Sequence, residues 1–328
     1  MARLLTLVPL KQLLTTAAVA ALLVLGTGCP DKSKGEAIKA ANRGAKALSA
    51  KQYDTAITEF KEAVRLDRDN FMAWYQLGES HRAKKNWNDA VEAFENASRL
   101  RPNDVMLNVR FGAALYEQAV DRERQAEATR LKKKPEEVTP DLRGVNFDAA
   151  LQRLEAAVKV DANLYNAQYY IGRIYRDQFK DAQAADAFTK AILAWPRFGA
   201  PYIALGELYR RWDYPNEAIQ VVSQGVEHVM ENEDKSKLFY ILGMAYFDKV
   251  EDAKAITAFT EALKLSKDNH KAKFQRGQSH FRMGQLKEAD KDFEEFSKAA
   301  GSGLAALKGI AQKFRFQIAA KQAPAGGP

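Results

Sequence analysis

The chain has 328 residues, of which 46% are hydrophobic and 28% charged, and its formal net charge at pH 7 is +8. This composition is close to the globular average and argues against extended disorder. The single basic run, at residues 132–134, is followed directly by Glu136 and Glu137, and elsewhere acids and bases interleave. Nucleic-acid binding needs basic residues clustered on one face, so we expect no nucleic-acid partner.

The first segment, residues 1–28, has the pattern of an export signal. A basic start is followed by an apolar stretch that ends in small residues directly before Cys29, the only cysteine of the chain. A short apolar core with small residues at its end is typical of a secretory signal. The stretch is shorter and more interrupted than a membrane-spanning helix requires.

This segment resembles a bacterial lipobox, in which Cys29 would receive the lipid and become the mature N-terminus. Gly26 stands where that motif prefers an aliphatic residue, and Leu25 lies one position early. The resemblance implies a short linker over residues 29–36 and an exported lipoprotein that faces the periplasm. Pro30 after the cysteine favours the outer membrane. The alternative is an ordinary signal peptide with an incidental cysteine.

Small residues recur over residues 37–300, with most successive units 34 residues apart. The recurring glycines are Gly44, Gly78, Gly112, Gly172, Gly206, Gly243 and Gly277, and the recurring alanines are Ala56, Ala90, Ala150, Ala184, Ala218, Ala255 and Ala289. A large apolar residue follows each alanine four positions later. Offsets of three, four and seven place residues on one helical face. Each unit therefore predicts two helices, and such hairpins must stack to bury both of their faces.

The units resemble the tetratricopeptide repeat (TPR). The unit 71–104 carries the motif as Trp74, Leu77, Gly78, Ala90, Phe94, Ala97 and Pro102. Seven repeats begin near residues 37, 71, 105, 165, 199, 236 and 270. The resemblance implies an all-α, right-handed α-solenoid. We expect a capping helix with a polar outer side over residues 301–321 and a disordered tail over 322–328.

An insertion of residues 118–145, approximately, interrupts the third repeat. Gly112 and Ala150 lie 38 residues apart, whereas the glycine and the alanine of each of the other six units lie twelve apart. Strong helix formers up to Leu131 predict an extension of the first helix that buries little. Insertions in repeats often lie on a binding face. A tolerated surface excursion is the alternative, and both remain open.

The resemblance also implies that first helices line a concave groove. Reading the groove positions from each repeat gives an aromatic surface interleaved with arginine. The candidate residues are Tyr75, Arg82, Tyr169, Arg173, Arg176, Arg210, Tyr240, Phe247 and Phe274, with Val109 and Tyr116 in the third repeat. Tyr, Phe and Arg dominate binding hot spots, and arginine pairs with carboxylates. The alternative is that some of these aromatic residues belong to the core.

The sequence contains no recognisable catalytic motif. A His-Glu-x-x-His motif, a Gly-rich phosphate loop and a Gly-x-Ser-x-Gly elbow are all missing from it. We therefore expect no enzyme, no cofactor, no metal site and no small-molecule substrate. The predicted function is a lipid-anchored envelope scaffold or assembly factor that binds protein or peptide partners, similar to the pilotins of pili and secretion machinery. A regulatory adaptor of a cell-wall enzyme or protease is the alternative.

Overall fold

The computed structural model describes residues 32–322 of the chain. The predicted export signal, Cys29 and the last six residues lie outside the described residues. Residues 32–322 form fifteen α-helices, two short 3-10 turns and no strand. Fourteen of the helices pair into seven hairpins, and each hairpin packs on the next. The predicted all-α stack of helical hairpins is confirmed.

The helices alternate between two sides of this stack. The first helices of the hairpins are α1 (Lys32–Ser49), α3 (Phe71–Ala83), α5 (Val105–Leu131), α7 (Tyr165–Asp177), α9 (Gly199–Arg211), α11 (Asn232–Asp248) and α13 (His270–Arg282). The second helices are α2 (Tyr53–Leu66), α4 (Trp87–Leu100), α6 (Asp148–Val160), α8 (Asp181–Ala194), α10 (Pro215–His228), α12 (Asp252–Leu265) and α14 (Leu286–Ala299). The last helix is α15 (Ala305–Gln322).

The two helices of a hairpin approach closely where a glycine of the first lies under a large side chain of the second. A Cβ atom on Gly78 would lie 2.5 Å from Cε1 of the fully buried Phe94. A Cβ atom on Gly243 would likewise lie 2.5 Å from Cε1 of Phe259. Any larger residue would push the ring away, because protein interiors are close-packed. This contact explains the recurring glycines.

The turns within six of the hairpins reverse the chain through one left-handed residue. These residues are Lys51, Lys85, Phe179, Asp213 and Val250, with φ between 58° and 62°, and Gly284, with φ of 74°. The left-handed region is costly for residues other than glycine, and most of all for a β-branched one. Val250 therefore stores backbone strain at an exposed turn, where glycine serves the next hairpin.

Neighbouring first helices contact one another, as α5 does with α7 and α9 does with α11. Within residues 32–322, no two second helices pack together in this way. The stack therefore curves toward the first helices, which line its inner side. Side-chain bonds reinforce the stacking: Asp181 pairs with Arg211, and Asp252 with Arg282, both across a spacing of 30 residues.

The insertion begins within the extended helix α5, as predicted, and the chain then returns through a 3-10 turn at Pro135–Glu137. Most of its residues are exposed or of intermediate burial, as expected, but Val120, Ala128 and Val138 are buried. Its 3-10 turn lies against the second such turn, Ser302–Leu304, with Cα atoms within 8 Å. The insertion thus reaches from the third hairpin to the segment that precedes α15.

Both ends of the stack differ from the expectation. Helix α1 begins at Lys32, inside the predicted linker. The outer side of α15, predicted to be polar, also carries two apolar residues, since Phe316 is 69% exposed and Ile310 is 40% exposed. The buried core runs from Ala37 to Ile318, so the described residues supply it themselves. None of the helices within residues 32–322 combines the length and the apolarity that crossing a bilayer requires.

Candidate functional site

All nine candidate groove residues lie on first helices, the elements that line the inner side. They are Tyr75 and Arg82 on α3, Tyr169, Arg173 and Arg176 on α7, Arg210 on α9, Tyr240 and Phe247 on α11, and Phe274 on α13. The helical spacing of the repeat brings these residues to one side of the stack. Their surroundings, however, divide them into residues that hold neighbouring helices together and residues that remain accessible.

Arg173 occupies the centre of a cluster between α5 and α7. Its Nη1 donates to Oε1 of Glu117 at 2.5 Å, and both side chains are 20% exposed. The guanidinium also lies 4.5 Å from the ring centroid of Tyr116 and 5.2 Å from that of Tyr170. Cation–π contacts of this kind strengthen when they are desolvated. Arg173 therefore joins two repeats, and we refer to Tyr116, Glu117, Tyr170 and Arg173 as the Arg173 cluster.

The other predicted arginines also have carboxylate partners within the chain. Arg82 donates two hydrogen bonds of 2.9 Å to Glu79. Arg176 pairs with Asp177 on its own helix at 2.9 Å. Arg210 of α9 donates to Asp248 of α11 at 2.7 Å, which again joins neighbouring first helices. A partner's carboxylate would have to displace one of these internal acids, so the predicted pairing of arginine with a ligand carboxylate meets competition at each position.

Three tyrosines, each at the fifth position of its repeat, are partly buried and partly exposed. The ring centroids of Tyr75, Tyr169 and Tyr240 lie 6.0, 6.0 and 6.1 Å from the buried phenylalanine of their own hairpin. All three tyrosines are of intermediate burial, so part of each side chain remains accessible. Burial raises the pKa of the Tyr169 and Tyr240 phenols. Each phenol is thus neutral at physiological pH and is able to donate a hydrogen bond.

The prediction that Phe274 faces the groove was wrong, because its side chain is buried, with 2% exposure. Its ring lies 5.8 Å from Phe293 and 5.3 Å from Phe296. It shares the fifth position with the three tyrosines but has no hydroxyl to carry outward, so the whole ring stays in the core. Val109 and Tyr116 are also buried, at 3% and 1% exposure.

Tyr116 is able to be fully buried because its hydroxyl has a hydrogen-bond partner within the chain. It donates to Asp177 of α7, and its ring packs against Phe147 with centroids 5.3 Å apart. Phe247 is intermediate in exposure and lies under the guanidinium of Arg282, 3.5 Å from the ring centroid. Both residues therefore connect neighbouring hairpins, and neither was recognised as a packing residue from position alone.

A cavity of about 630 Å³ opens beside Tyr240 in the C-terminal half of the stack. Ile203 of α9, Ile241 of α11 and Leu304 give it an apolar part. Glu207 and Lys271 lie on its rim, and neither has an ion-pair partner among residues 32–322. We call this site the C-terminal cavity. It differs from the Arg173 cluster because Glu207 and Lys271 are free, whereas Lys237 on its lining pairs with Glu233 at 2.8 Å.

The groove prediction did not include Glu117, Tyr170 and Leu304. Glu117 stands one position after the groove set, and its charge is opposite to that of Arg173 one repeat later. Opposite charges at facing positions of consecutive repeats are the signal that would have revealed the pair. Leu304 has no repeat register, because it belongs to the segment between α14 and α15. Within the described part of the chain, no group of three His, Cys, Asp or Glu side chains is placed to hold a metal ion.

Comparison with known families places four matches on these hairpins. A family described as TPR repeat matches residues 48–84. Families described as Tetratricopeptide repeat match residues 71–104, 166–197 and 236–269. The last three ranges coincide with the hairpins α3–α4, α7–α8 and α11–α12.

Among curated proteins, the chain is similar to mouse Protein O-mannosyl-transferase TMTC3, with 23% identity over 200 residues. The match covers 61% of this chain and 20% of that protein, so the chain spans about a fifth of this relative's length.

Two solved structures share the fold. A tetratricopeptide repeat protein from Parabacteroides merdae superposes with a TM-score of 0.55 at 13% identity, over 87% of this chain and 99% of its own. PilW, a widely conserved type IV pilus biogenesis factor, gives a TM-score of 0.52 at 15% identity, over 70% and 92% of the two chains. At these identities the likeness concerns the fold alone. The repeat matches and the hairpin stack together show that the chain contains tetratricopeptide repeats.

Proposed function

We propose that this chain is a lipid-anchored envelope protein that binds other proteins along the inner side of its repeats. It would serve as a scaffold or assembly factor for pili or secretion machinery, and it would act by binding and not by catalysis. The TPR fold supports protein binding in general, since stacked hairpins present an extended concave surface. PilW, which shares the fold, is a pilus biogenesis factor, and this makes an envelope assembly role the first to test.

The observation that carries the proposal is the C-terminal cavity. Its volume of about 630 Å³ lies within the range of sites that hold small ligands or a few side chains of a peptide. Ile203 and Leu304 offer apolar contact, while the Tyr240 hydroxyl and the free charges of Glu207 and Lys271 offer orientation. A buried apolar centre with a polar rim is the usual anatomy of a protein interface.

The paired arginines narrow the chemistry of the partner. Because Arg82, Arg173 and Arg210 already bond to carboxylates of the chain, the inner side of residues 32–322 presents no open row of arginines. Recognition would then depend on tyrosine rings, apolar contact and hydrogen bonds. We expect binding to depend only weakly on salt, since salt screens exposed charges far more than desolvated apolar contact.

A photo-crosslinking amino acid at residue 240, in the full chain and its native host, tests the site. A matched probe replaces exposed Lys190 on α8, which lies on a second helix. We expect a protein adduct at residue 240, no such adduct at residue 190, and loss of the adduct when Ile203→Glu or Lys271→Glu is added. Identical adducts at both positions would contradict binding through the inner side.

The identity of the adduct separates the two functional classes. A pilus or secretion component supports the assembly role. A cell-wall enzyme or a protease would instead assign the chain to the alternative, a regulatory adaptor that uses the same surface.

Lipid attachment is tested separately. Tritiated palmitate should label the wild-type protein and not the Cys29→Ala variant, and the variant should leave the membrane fraction. A membrane fraction unchanged by the substitution would remove the lipid anchor from the proposal.

A further inference from the structure

The outward face of α1 is a basic surface with no covering helix. Every later first helix packs against the second helix of the preceding hairpin, but no such helix precedes α1 among the described residues. Lys32, Lys34 and Lys46 are exposed there, and none of them has an ion-pair partner in residues 32–322. Ile38 lies among them and is 56% exposed.

The acids of the first hairpin do not neutralise these lysines, because each acid already has another partner. Glu36 pairs with Lys39 and Glu59 pairs with Arg43. Glu62 pairs with Arg65 on the same helix. Asp54 pairs with Lys84 of the next hairpin. The unpaired charge that remains on α1 is therefore entirely positive.

The position of α1 in the chain relates this surface to the predicted anchor. Cys29 precedes Lys32 by three residues. Three residues span at most about 10 Å when fully extended. The Debye length at physiological ionic strength is about 8 Å. If Cys29 carries lipid in a membrane, the first lysines of α1 lie close enough to that membrane to interact with its charge.

We propose that the outward face of α1 binds the anionic headgroups of the membrane and holds the first hairpin against it. This inference rests on the proposed envelope location, but it concerns a surface separate from the groove. The lysines supply the electrostatic attraction, and exposed Ile38 is placed to enter the headgroup region. A lipid and a basic patch together anchor a protein more firmly than one signal alone.

A second copy of the chain is a less suitable occupant of this face. Another α1 would bring the same lysines and be repelled. The opposite end of the stack, α15, carries Lys308, Lys313 and Lys321 and no acidic residue. Stacking the two ends would therefore also place positive charge against positive charge. An anionic surface complements α1 in charge, whereas neither α1 nor α15 of a second copy does.

The test measures binding of residues 30–328, without lipid, to vesicles that contain about one third phosphatidylglycerol. The described residues supply their own core, so this part is expected to fold, and circular dichroism checks it. The test variant combines Lys32→Gln, Lys34→Gln and Lys46→Gln. Each lysine near an anionic surface contributes about 1 kcal/mol, or about fivefold in affinity, so we expect about a hundredfold loss.

The matched control combines Lys133→Gln, Lys159→Gln and Lys267→Gln, which are exposed and unpaired in the described structure. It removes the same net charge and should bind vesicles nearly as well as the wild type. Equal losses in both variants would show that overall charge and not α1 is responsible, which overturns the proposal.

The proposal would also be overturned if the wild-type protein bound anionic vesicles no more strongly than neutral phosphatidylcholine vesicles. The partner of the α1 face would then be an acidic protein. This assay contains no protein partner. Its outcome is therefore independent of the crosslinking at residue 240, and either proposal is able to fail alone.

Discussion

Replacing Arg173 by methionine tests whether the centre of the predicted groove is a structural contact. Methionine keeps the apolar stem but leaves the Glu117 carboxylate, 20% exposed, without its cation. Breaking a fully buried pair costs about 3–5 kcal/mol, and the remaining exposure here reduces that to about 2 kcal/mol. Loss of the cation–π contacts with Tyr116 and Tyr170 adds about 1 kcal/mol. We expect the free energy of unfolding to fall by about 2–3 kcal/mol.

A double-mutant cycle with Glu117→Gln isolates the pair. We expect a coupling energy of about 1–2 kcal/mol, because each single substitution leaves the other charged group without its ion-pair partner. Urea unfolding gives the total, and hydrogen exchange in α5 and α7 locates it, since repeats unfold with their nearest neighbours. Arg43→Met, which breaks the exposed pair with Glu59, is the matched control and should lower the stability much less than Arg173→Met, because exposed ion pairs contribute little. A coupling below about 0.5 kcal/mol would refute the structural role and return Arg173 to the set of ligand contacts.

Three further predictions concern the turns, the hairpin contact and the insertion. Val250→Gly should stabilise the chain by about 0.5–1 kcal/mol in urea unfolding, because the relief of left-handed strain exceeds the unfolded-state entropy that glycine adds. Gly284→Val should destabilise the chain by a similar amount. Changes of stability in the same direction for both variants would contradict the assignment of strain. Gly78→Ala should lower the melting temperature, because overpacking costs about 1–3 kcal/mol against a gain in helix propensity of about 1 kcal/mol. Glu136→Cys with Gly303→Cys in a Cys29→Ser chain should form an intramolecular crosslink with a short bismaleimide, and a chain that forms none would contradict contact between the two 3-10 turns.

The hairpin stack was predictable because its determinants are local and repeated. Gly78 and Phe94 lie sixteen residues apart, and the same spacing recurs as Gly243 and Phe259. The contact between them needs only one hairpin, so a pattern within a single repeat contains it. The extension of α5 to Leu131 was predictable for the same reason, since a run of helix formers continues a helix wherever it points.

The contacts of the insertion were not predictable from its composition. Val138 follows two acidic residues in a polar segment, yet it is buried. The 3-10 turn just before it meets residues 302–304, more than 160 positions later in the chain. No periodicity connects these two segments, because neither belongs to a repeat. Their contact depends on the curvature of all the hairpins between them, and this curvature is a property of the assembled stack.

The sequence assigned the candidate residues to first helices, where the structure has them, but it did not separate their roles, and the reason is chemical. Residues suited to a binding hot spot are those that form strong contacts when desolvated, namely tyrosine, phenylalanine and arginine. The seam between neighbouring first helices has the same requirement, so it selects the same residue types. Position within one repeat does not separate the two roles, as Phe274 and Tyr240 show at the same position.

What separates the two roles is whether the neighbouring repeat already supplies a partner. Arg173 and Arg210 meet Glu117 and Asp248 of adjacent first helices, so their positive charges are already paired within the chain. Tyr240 lies beside a cavity where Glu207 and Lys271 have no such partner in residues 32–322. A ligand that contacts Glu207 and Lys271 does so without displacing an internal ion-pair partner. The best candidate for recognition therefore moves from the arginines of the fourth repeat to the C-terminal cavity, although the arginines are the more conspicuous residues in the sequence.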